Sequence, residues 1–487
     1  MNRRLLVAAA LASASMASAQ TELGVFSATG RGAATPFVTD YHAIGINPAN
    51  LNLTPEFEGK TVTFGMAEGA ASMYSGFLNK SEVRNTLFRR PFDELNQAER
   101  TEYANQMAGE STEINLNVIS AGFAINDDKA GGFAFSIRER ITTNARFGQM
   151  ASELVFLGRT APYFTDLVLA NGDTIPNSGN LSADTLGQVQ QGIVAPEDAL
   201  LFSQLLDGTS VGFSWIREFN IAYGKRLYKN ESIELHGGIG AKLLIGNAWM
   251  QVDVDGSNVN AFSALSPVFN INYGEIANSN PSTLPADAPA LRPVGLGWGI
   301  DLGTTVVIKE KLFLSAAITD IGRMRWDGNL YELNDVLFTE FSDAGAESAD
   351  VVNEVINFAS PESLLEWEGS ESRTTNLPTT ARVGIGFEVS KKLRLAADAV
   401  VPVNDNVVNY DNPIVAVGAD VTPLNFLRLS AGFISGNNRE ALVPVGITFM
   451  VNEGAWEFGF ASRDLVTWFT NENPTASMSW GFLRFRV

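Results

Sequence analysis

Hydrophobic and polar residues alternate along much of this chain with a period of two. In segment 381–390 the apolar positions are Val383, Ile385, Phe387 and Val389, with charged residues or glycines between them. Successive side chains of a β-strand point to opposite faces, so this pattern predicts strands with one apolar and one polar face. Similar segments recur from residue 60 to the last residue of the sequence.

Fourteen segments show this pattern, and most are long enough to cross a membrane, which takes about 9–11 tilted residues. They are 60–72, 112–126, 129–143, 211–227, 231–247, 294–308, 311–325, 378–390, 393–403, 412–421, 425–435, 441–451, 455–463 and 476–487. Beyond the N-terminal segment no run of about 18 or more apolar residues occurs, so no membrane-spanning helix is predicted. A hydropathy average does not detect membrane-spanning strands of this kind, because the apolar residues of one face and the polar residues of the other average to a value near zero.

The connections between these segments alternate between short and long. Tight turns such as 126–128 and 391–392 are followed by connections as long as 144–210 and 326–377. A soluble β-sandwich or propeller has no reason to keep this alternation, whereas outer-membrane barrels have short turns on one side and long loops on the other. We therefore predict an all-β fold, a transmembrane antiparallel β-barrel of about 14 strands. The extracellular loops are expected to be long and partly helical, with helices in 91–108 and 182–206.

The first sixty residues do not follow the strand pattern. A basic segment, Asn2–Arg4, precedes an apolar stretch and a cleavage pattern at Ala17–Ala19, so residues 1–19 are predicted to be a signal peptide for export. Residues 20–59 contain several glycines and prolines and do not alternate. Residues 20–59 are therefore not expected to form a strand of the barrel, which residues 60–487 are predicted to build.

Motifs within residues 20–59 relate the chain to a known family. Gly30-Arg31-Gly32-Ala33-Ala34 is followed by Asp40, and Asn47-Pro48-Ala49 comes shortly before the first predicted strand. This arrangement resembles the N-terminal hatch of the long-chain fatty acid transporter (FadL-like) family of fourteen-stranded outer-membrane barrels. The resemblance implies that residues 20–59 form a hatch inside the barrel, with a hatch motif made of Asp40, Asn47, Pro48 and Ala49. It also implies uptake of hydrophobic compounds, such as long-chain fatty acids, across the outer membrane of a Gram-negative cell.

A second function remains open. The stretch from Asp40 to Leu51 looks like that of outer-membrane barrels of Bacteroidetes, and the type IX secretion shuttle (PorV-like) proteins are barrels of the same class that handle secreted proteins. The alternative is therefore a secretion-associated or structural barrel that binds proteins through its loops. A continuous apolar tunnel from the loops to the wall would favour uptake, and a bore closed by salt bridges would favour the scaffold. Expected partners are outer-membrane lipid with a hydrophobic small molecule, or a secretion-system or other outer-membrane protein.

Three further sets of residues are candidates for a transport path. Aromatic residues of the first two long loops are candidates for substrate binding, or for packing the loops together: Phe77, Phe88, Phe156, Tyr163 and Phe164. A kink in the third strand opens a path in FadL-like proteins, and that strand begins here with Gly131-Gly132. The two residues are either the site of a bulge or kink or plain turn or packing glycines. Strand parity points charged residues into the lumen, among them Glu234, His236, Arg382, Arg394 and Asp398.

The net charge and the absence of cysteine exclude several classes of function. Among 487 residues there are no Cys and 2 His, and the formal net charge is -20. The acidic excess argues against nucleic acid as a partner, and the lack of Cys removes disulfides, thiolate catalysis and Cys-based metal sites. The sequence holds no nucleophile elbow, P-loop or dinucleotide fingerprint. We therefore predict that the protein is not an enzyme and needs no cofactor and no metal.

Overall fold

The computed structural model describes residues 25–88, 94–179, 181–256, 258–269, 280–285, 287–346, 348, 367–409, 412–437, 439–466, 469 and 475–487. The predicted signal peptide, residues 1–19, lies outside the described residues. So do the first residues of the predicted hatch, which the structure describes from Val25 onward.

Fourteen antiparallel strands among the described residues form the wall of a barrel. They are β1 (Val62–Ser75), β2 (Ser111–Asp127), β3 (Gly131–Arg146), β4 (Ser210–Lys229), β5 (Ile233–Asp255), β6 (Gly295–Ile308), β7 (Leu312–Trp326), β8 (Thr380–Ser390), β9 (Leu393–Pro402), β10 (Ile414–Leu424), β11 (Leu427–Gly436), β12 (Val445–Val451), β13 (Trp456–Ser462) and β14 (Thr475–Arg486). Each strand pairs with the next. β14 pairs in turn with β1, so the sheet closes on itself. The predicted transmembrane barrel and its strand number are confirmed.

The two faces of the wall differ as the alternation predicts. On β8, Val383 is 55% exposed and Ile385 is 54% exposed, whereas Arg382 on the opposite, polar face is only 4% exposed. Water-soluble proteins rarely expose an apolar band of this extent, and a lipid-facing barrel wall requires one. The apolar positions therefore face the membrane, and the polar positions face the lumen.

The strands are joined by short turns at one end of the barrel, the turn end, and by long connections at the other, the loop end. Lys309 and Glu310, between β6 and β7, have φ of 51° and 57°, and Asn452 and Glu453, between β12 and β13, have φ of 50° and 53°. Two successive left-handed residues match the twist of the strands they connect, as in favoured hairpin turns. The predicted alternation of short and long connections is therefore present in the structure.

The long connections fold into a cap over the loop end. Its α-helices are α2 (Lys80–Phe88), α3 (Gln97–Met107), α4 (Gln149–Leu157), α5 (Ala183–Leu186) and α6 (Phe202–Leu205), with 3-10 turns at Gly158–Thr160 and Pro267–Phe269; α1 (Phe26–Thr29) belongs to the hatch. A small sheet joins Asp166–Leu169, Thr174–Pro176, Val189–Ile193 and Glu340–Phe341. Further short strands are Asn258–Leu265, Leu330–Leu333, Trp367–Gly369, Arg373–Asn376 and Arg439–Leu442. No helix of the described residues is long and apolar enough to span a membrane.

One helical prediction in the cap is wrong in its centre. Segment 182–206 contains two short helices with the strand Val189–Ile193 between them. Val189 and Ile193 are β-branched, and their strand pairs with Asp166–Leu169, so sheet pairing overrides the helical pattern. The helix predicted within 91–108 is present as α3, which begins with a capping box between Asn96 and Glu99.

The hatch fills the lumen near the turn end. It consists of α1 (Phe26–Thr29) and two 3-10 turns, Asp40–Ala43 and Pro48–Asn52, joined by irregular segments. Nearly all of its residues from Val25 to Leu53 are buried. The short elements follow from the sequence, because glycines and prolines interrupt any longer helix.

Candidate functional site

The Asn-Pro-Ala motif of the hatch docks on β6. Asn47 precedes Pro48, and its side-chain oxygen accepts a hydrogen bond from the Ala49 N–H at 3.1 Å, which caps the 3-10 turn. The Asn47 amide donates to Thr305 Oγ1 at 2.9 Å and to the Thr304 carbonyl at 3.3 Å. Asn47 is fully buried, so each of its polar groups needs such a partner.

A second asparagine ties the hatch together internally. The Asn50 amide donates to the carbonyls of Thr35 and Val38 at 2.8 and 2.9 Å, and its oxygen accepts from Thr305 Oγ1 at 2.7 Å. Thr305 therefore bridges Asn47 and Asn50. The hydroxyl fixes the two ends of the Asn-Pro-Ala segment against one strand.

Asp398 of β9 anchors the middle of the hatch. One of its carboxylate oxygens accepts hydrogen bonds from the backbone N–H groups of Ala34 and Thr35 at 2.6 and 2.8 Å, and from Thr35 Oγ1 at 3.0 Å. Arg31 of the hatch forms an ion pair with Asp420 of β10. The small-residue motif of residues 30–34 is therefore held by two carboxylates of the wall, Asp398 and Asp420.

Asp40, Tyr41 and His42 of the hatch form a polar cluster with Glu68 of β1 and Arg484 of β14, which we call the latch. Asp40 pairs with Arg484 at 2.5 Å, Tyr41 donates its hydroxyl to Glu68 at 2.8 Å, and the His42 Nε2 lies 2.5 Å from the other Glu68 oxygen. Burial, together with the charge of Glu68, raises the pKa of the Tyr41 phenol, so Tyr41 remains a donor. The latch joins the hatch to the two strands where the barrel closes.

Glycines of the wall make room for the hatch, and we call them the glycine collar. They are Gly65, Gly122, Gly132, Gly224, Gly238, Gly303, Gly384, Gly386, Gly418, Gly432, Gly446 and Gly481. A Cβ at any of them would meet hatch atoms inside ordinary contact distance. At Gly418 and Gly432, for example, it would overlap the carbonyl of Arg31. Hatch atoms therefore lie directly against the wall, backbone atoms at some collar positions and side-chain atoms at others, which only glycine permits.

The wall is irregular beside the latch. Between the pairs Met66↔Leu483 and Gly69↔Trp480, the β1–β14 ladder has no bridge for Ala67 or Glu68. Ala67 has a φ of 54°, an unfavourable left-handed conformation for alanine that costs about 1–2 kcal/mol. A strained residue kept in place by its surroundings marks a site that is worth testing for function.

Aromatic groups flank this ladder gap on both sides. On the lumen side the ring of Phe26 is so close to Gly481 that a Cβ there would overlap it. On the lipid side the indole N–H of Trp480 donates to the Ala67 carbonyl at 3.2 Å. The ladder gap between β1 and β14 thus lies between one hatch ring and the membrane, while Glu68 keeps its pairing with β2 and Gly481 keeps its pairing with β13.

The predicted lumen-facing charges lie where strand parity places them. Arg394 pairs with Glu388 at 2.8 Å and with Glu56 of the hatch end at 3.3 Å. Burial acts to raise the pKa of Glu56, but Arg394 and Arg428 outweigh it and hold that pKa well below its usual range. Glu234 lies 2.6 Å from Lys229 and 3.3 Å from His236 near the turn end. Arg382 is buried on the lumen side of β8.

Further ion pairs cross the lumen on the loop side of the hatch. Arg140 lies 2.7 Å from Glu218 and 3.1 Å from Asp320, and Lys242 lies 3.0 Å from Asp301 and 2.5 Å from Asp320. Buried charges of this kind persist only when they are paired. Among the residues that the structure describes, salt bridges therefore cross the bore on the loop side of the hatch, and the buried hatch fills it on the other side.

The five candidate substrate-binding residues belong to the cap. Phe156 and Phe164 are buried in its apolar core, and Phe77 and Tyr163 pack against that core. The Tyr163 hydroxyl donates to the Phe338 carbonyl at 2.5 Å and accepts from the Leu200 N–H at 3.1 Å. The side chain of Phe88 lies outside the described part of the structure. In this conformation the described aromatics hold the loops together, and their role in binding remains a prediction.

The ladders are regular at Gly131-Gly132 in this structure, and a kink there during transport remains a prediction. β3 pairs with β4 from Gly132 onward without a register shift. Gly132 is instead a collar residue, because a Cβ there would overlap the Leu51 carbonyl. The nearest irregularity is in β2, where the register to β3 shifts between Ile119 and Ala121.

The sequence analysis did not identify several residues of the site. Glu68, Arg484 and Thr305 hold the hatch, but no motif surrounds them in the sequence. The alternation of the last strand alone would have placed Arg484 in the lumen, because it lies between the apolar residues Leu483 and Phe485. The glycine collar had a usable signal, because Gly384 and Gly386 occupy the polar face of β8 where charged residues would otherwise be expected.

Several solved structures resemble this one. They include a toluene transporter, TodX, of Pseudomonas putida, with 10% identity and a TM-score of 0.41 over 96% of this chain and 97% of that chain. The toluene transporter TbuX of Ralstonia pickettii has 11% identity and a TM-score of 0.42 over 96% and 99%. A FadL homologue of Pseudomonas aeruginosa has 11% identity and a TM-score of 0.40 over 97% and 96%.

A search of curated proteins gives no match to the sequence. Residues 198–453 match the model of a family described as a family of unknown function, DUF5723. This match spans more than half of the sequence, from the segment before α6 to the turn after β12. The chain therefore belongs to the DUF5723 family.

Proposed function

We propose that this protein is an outer-membrane barrel that takes up a hydrophobic compound, with a long-chain fatty acid as the first candidate. The observation that carries the proposal is the ladder gap at Ala67 and Glu68, which lies between the hatch and the lipid. The bore is closed to polar solutes by ion pairs and by the hatch. A compound that leaves through the wall into the membrane needs no polar bore.

The way in which the hatch is held supports an exit through the wall. Hydrogen bonds and ion pairs hold it in the barrel, and the chain has no Cys that could fix it covalently. The hatch motif of Asp40 and Asn47-Pro48-Ala49 resembles that of FadL-like transporters; Asp40 contacts β14, Asn47 contacts β6, and Tyr41 beside the motif contacts β1. Apolar compounds gain about 25 cal/mol per Å² on leaving water, so membrane entry is downhill for them.

Uptake in a deletion strain tests this proposal. We expect a strain without the gene to take up less radiolabelled long-chain fatty acid, or less of a monoaromatic hydrocarbon used as a smaller apolar probe. Uptake of a small hydrophilic sugar should not change. The wild-type gene should restore uptake, and Asn47→Ala should restore only part of it. Unchanged uptake of every hydrophobic compound in the deletion strain would refute the proposal.

A second candidate function is a secretion-associated or structural barrel that binds proteins through its cap. The closed bore favours it, because a scaffold needs no path through the lumen. Affinity purification from cells under membrane-preserving conditions distinguishes the two. Stoichiometric recovery of secretion components, combined with normal uptake in the deletion strain, would support the scaffold.

A further inference from the structure

Two arginines lie on the outer wall of the barrel next to exposed apolar side chains. Arg323 and Arg325 of β7 pair in register with Trp298 and Leu296 of β6. Leu296 is 59% exposed, Trp298 is 47% exposed, and the Arg325 side chain is 67% exposed. Arg323 is exposed as well. All four side chains therefore point out of the barrel.

The position along β7 places these arginines at one edge of the lipid-facing band. Leu314, an exposed apolar residue near the turn end, precedes Arg323 by nine residues on the strand. At about 3.3 Å per residue and a tilt of about 40°, this spans roughly 23 Å. The apolar band of a bacterial barrel is about 25 Å tall, with aromatic residues at its edges. The arginines thus sit at headgroup depth on the loop side, with Trp298 in the aromatic girdle.

The protein itself does little to neutralise this pair. Arg325 lies 3.9 Å from Asp327, and both side chains are more than half exposed, so the attraction is weak. Within the part of the chain that the structure describes, Arg323 has no carboxylate partner. A guanidinium offers several fixed donors that match a phosphate, and two of them side by side form an anion site.

We propose that Arg323 and Arg325, with Leu296 and Trp298, form a docking site for a phosphorylated lipid of the outer leaflet. The arginines bind the phosphate of the headgroup, and the exposed leucine and indole pack against its acyl chains. The adjacent apolar surface is the reason to assign a lipid rather than a free phosphate ion. The inference rests on the outer-membrane location and is independent of any compound that the barrel transports.

Native mass spectrometry of the purified barrel in detergent tests the site. The probe is bisphosphorylated lipid A, and a dephosphorylated lipid A of the same acylation serves as the comparison lipid. We expect the double variant Arg323→Gln/Arg325→Gln to retain bisphosphorylated lipid A at least about tenfold more weakly than the wild type, because charge-assisted hydrogen bonds are lost. The matched control Lys391→Gln/Lys392→Gln removes the same charge from a turn at the opposite end and should bind like the wild type.

The outcomes separate the proposal from its alternatives. Equal retention by the wild type and the arginine variant would overturn it, as would equal binding of the dephosphorylated lipid. Displacement of lipid A by millimolar inorganic phosphate would overturn the lipid assignment. If the glutamine variant fails to fold, Arg323→Lys/Arg325→Lys keeps the charge, loses the bidentate geometry and should bind with intermediate strength. The measurement uses purified protein, so it does not depend on the result of the uptake assay.

Discussion

The indole N–H of Trp480 donates to the carbonyl oxygen of Ala67, 3.2 Å away, where backbone pairing between β1 and β14 is interrupted. Ala67 is left-handed, with a φ of 54°, and its neighbour Glu68 points inward to Tyr41 and His42. The wall and the hatch therefore share one irregular spot. Trp480 supports it from the lipid side, where no water can replace a missing donor.

Trp480→Phe should loosen the ladder gap. The change leaves the Ala67 carbonyl without its donor in an apolar setting, at a cost of about 1–3 kcal/mol. We expect amide hydrogen exchange to become roughly tenfold faster or more in β1 and β14, because about 1.4 kcal/mol corresponds to a factor of ten. Trp298→Phe, an outward tryptophan in a paired part of β6, is the control and should leave exchange in β1 and β14 unchanged.

Asp398→Asn should release the middle of the hatch. The neutral amide accepts hydrogen bonds from Ala34 and Thr35 less strongly than the carboxylate does, and the NH₂ group adds donors where acceptors are needed. Because the chain has no Cys, a single Ser27→Cys label reports on the hatch. We expect maleimide labelling of Cys-substituted protein to accelerate several-fold in the Asp398→Asn background. Glu388→Gln, which removes a carboxylate that pairs with Arg394, is the control, and an equal acceleration there would contradict the assignment.

Two neighbouring inward glycines of β5 test the glycine collar. A Cβ at Gly238 would overlap Pro48 and Ala49 of the hatch, whereas at Gly240 its nearest neighbour would be the Asp301 side chain at 3.3 Å. We expect Gly238→Ala to lower the free energy of unfolding by about 1–3 kcal/mol, as overpacking does, and Gly240→Ala to have a smaller effect. Urea unfolding in detergent micelles, followed by tryptophan fluorescence, measures both. Equal losses would show that the hatch does not require the space at Gly238.

Asn47 and Thr305 should be energetically coupled. Asn47→Ala removes the cap on Ala49 as well as the bond to Thr305, and we expect a loss of about 1–2 kcal/mol in the free energy of unfolding. Thr305→Ala removes the same bond from the other side. A double-mutant cycle should give a coupling of about 0.5–1.5 kcal/mol. Additive single effects would mean that the hatch docks on β6 without this bond.

Glu56 makes the hatch sensitive to acid. Its pKa is held below the ordinary value of 4.5 by Arg394 and Arg428, so the folded state keeps the carboxylate ionised at a pH where the unfolded chain binds a proton. The contribution of Glu56 to stability is therefore complete above pH 4.5, falls as the pH drops below that value, and disappears below the lowered pKa. We expect the difference in free energy of unfolding between the wild type and Glu56→Gln to become smaller as the pH is lowered from 6 to 3, because the carboxylate loses its advantage over that range. A difference that is constant with pH would contradict this assignment.

The barrel could be predicted from local sequence pattern because the environment of each strand determines the order of its own residues. A strand that faces lipid on one side and a polar lumen on the other must alternate, as the segment from Arg382 to Val389 does, and each hairpin needs a tight turn such as Lys309-Glu310. The inward charges Arg394, Asp398 and Glu234 could be named from parity for the same reason. The segment 182–206 was less predictable, since pairing with a distant strand decided its centre.

The sequence by itself determined the strand number, the alternation of turns and loops, the inward charges and the position of the hatch motif, because each depends on residues close together in the chain. Only the tertiary structure decided how the hatch is held. Tyr41 and Glu68 lie 27 positions apart, Asp40 and Arg484 lie 444 apart, and their contacts exist only once β14 closes on β1. Closure also determines which inward glycines press against the hatch and where the wall loses its pairing.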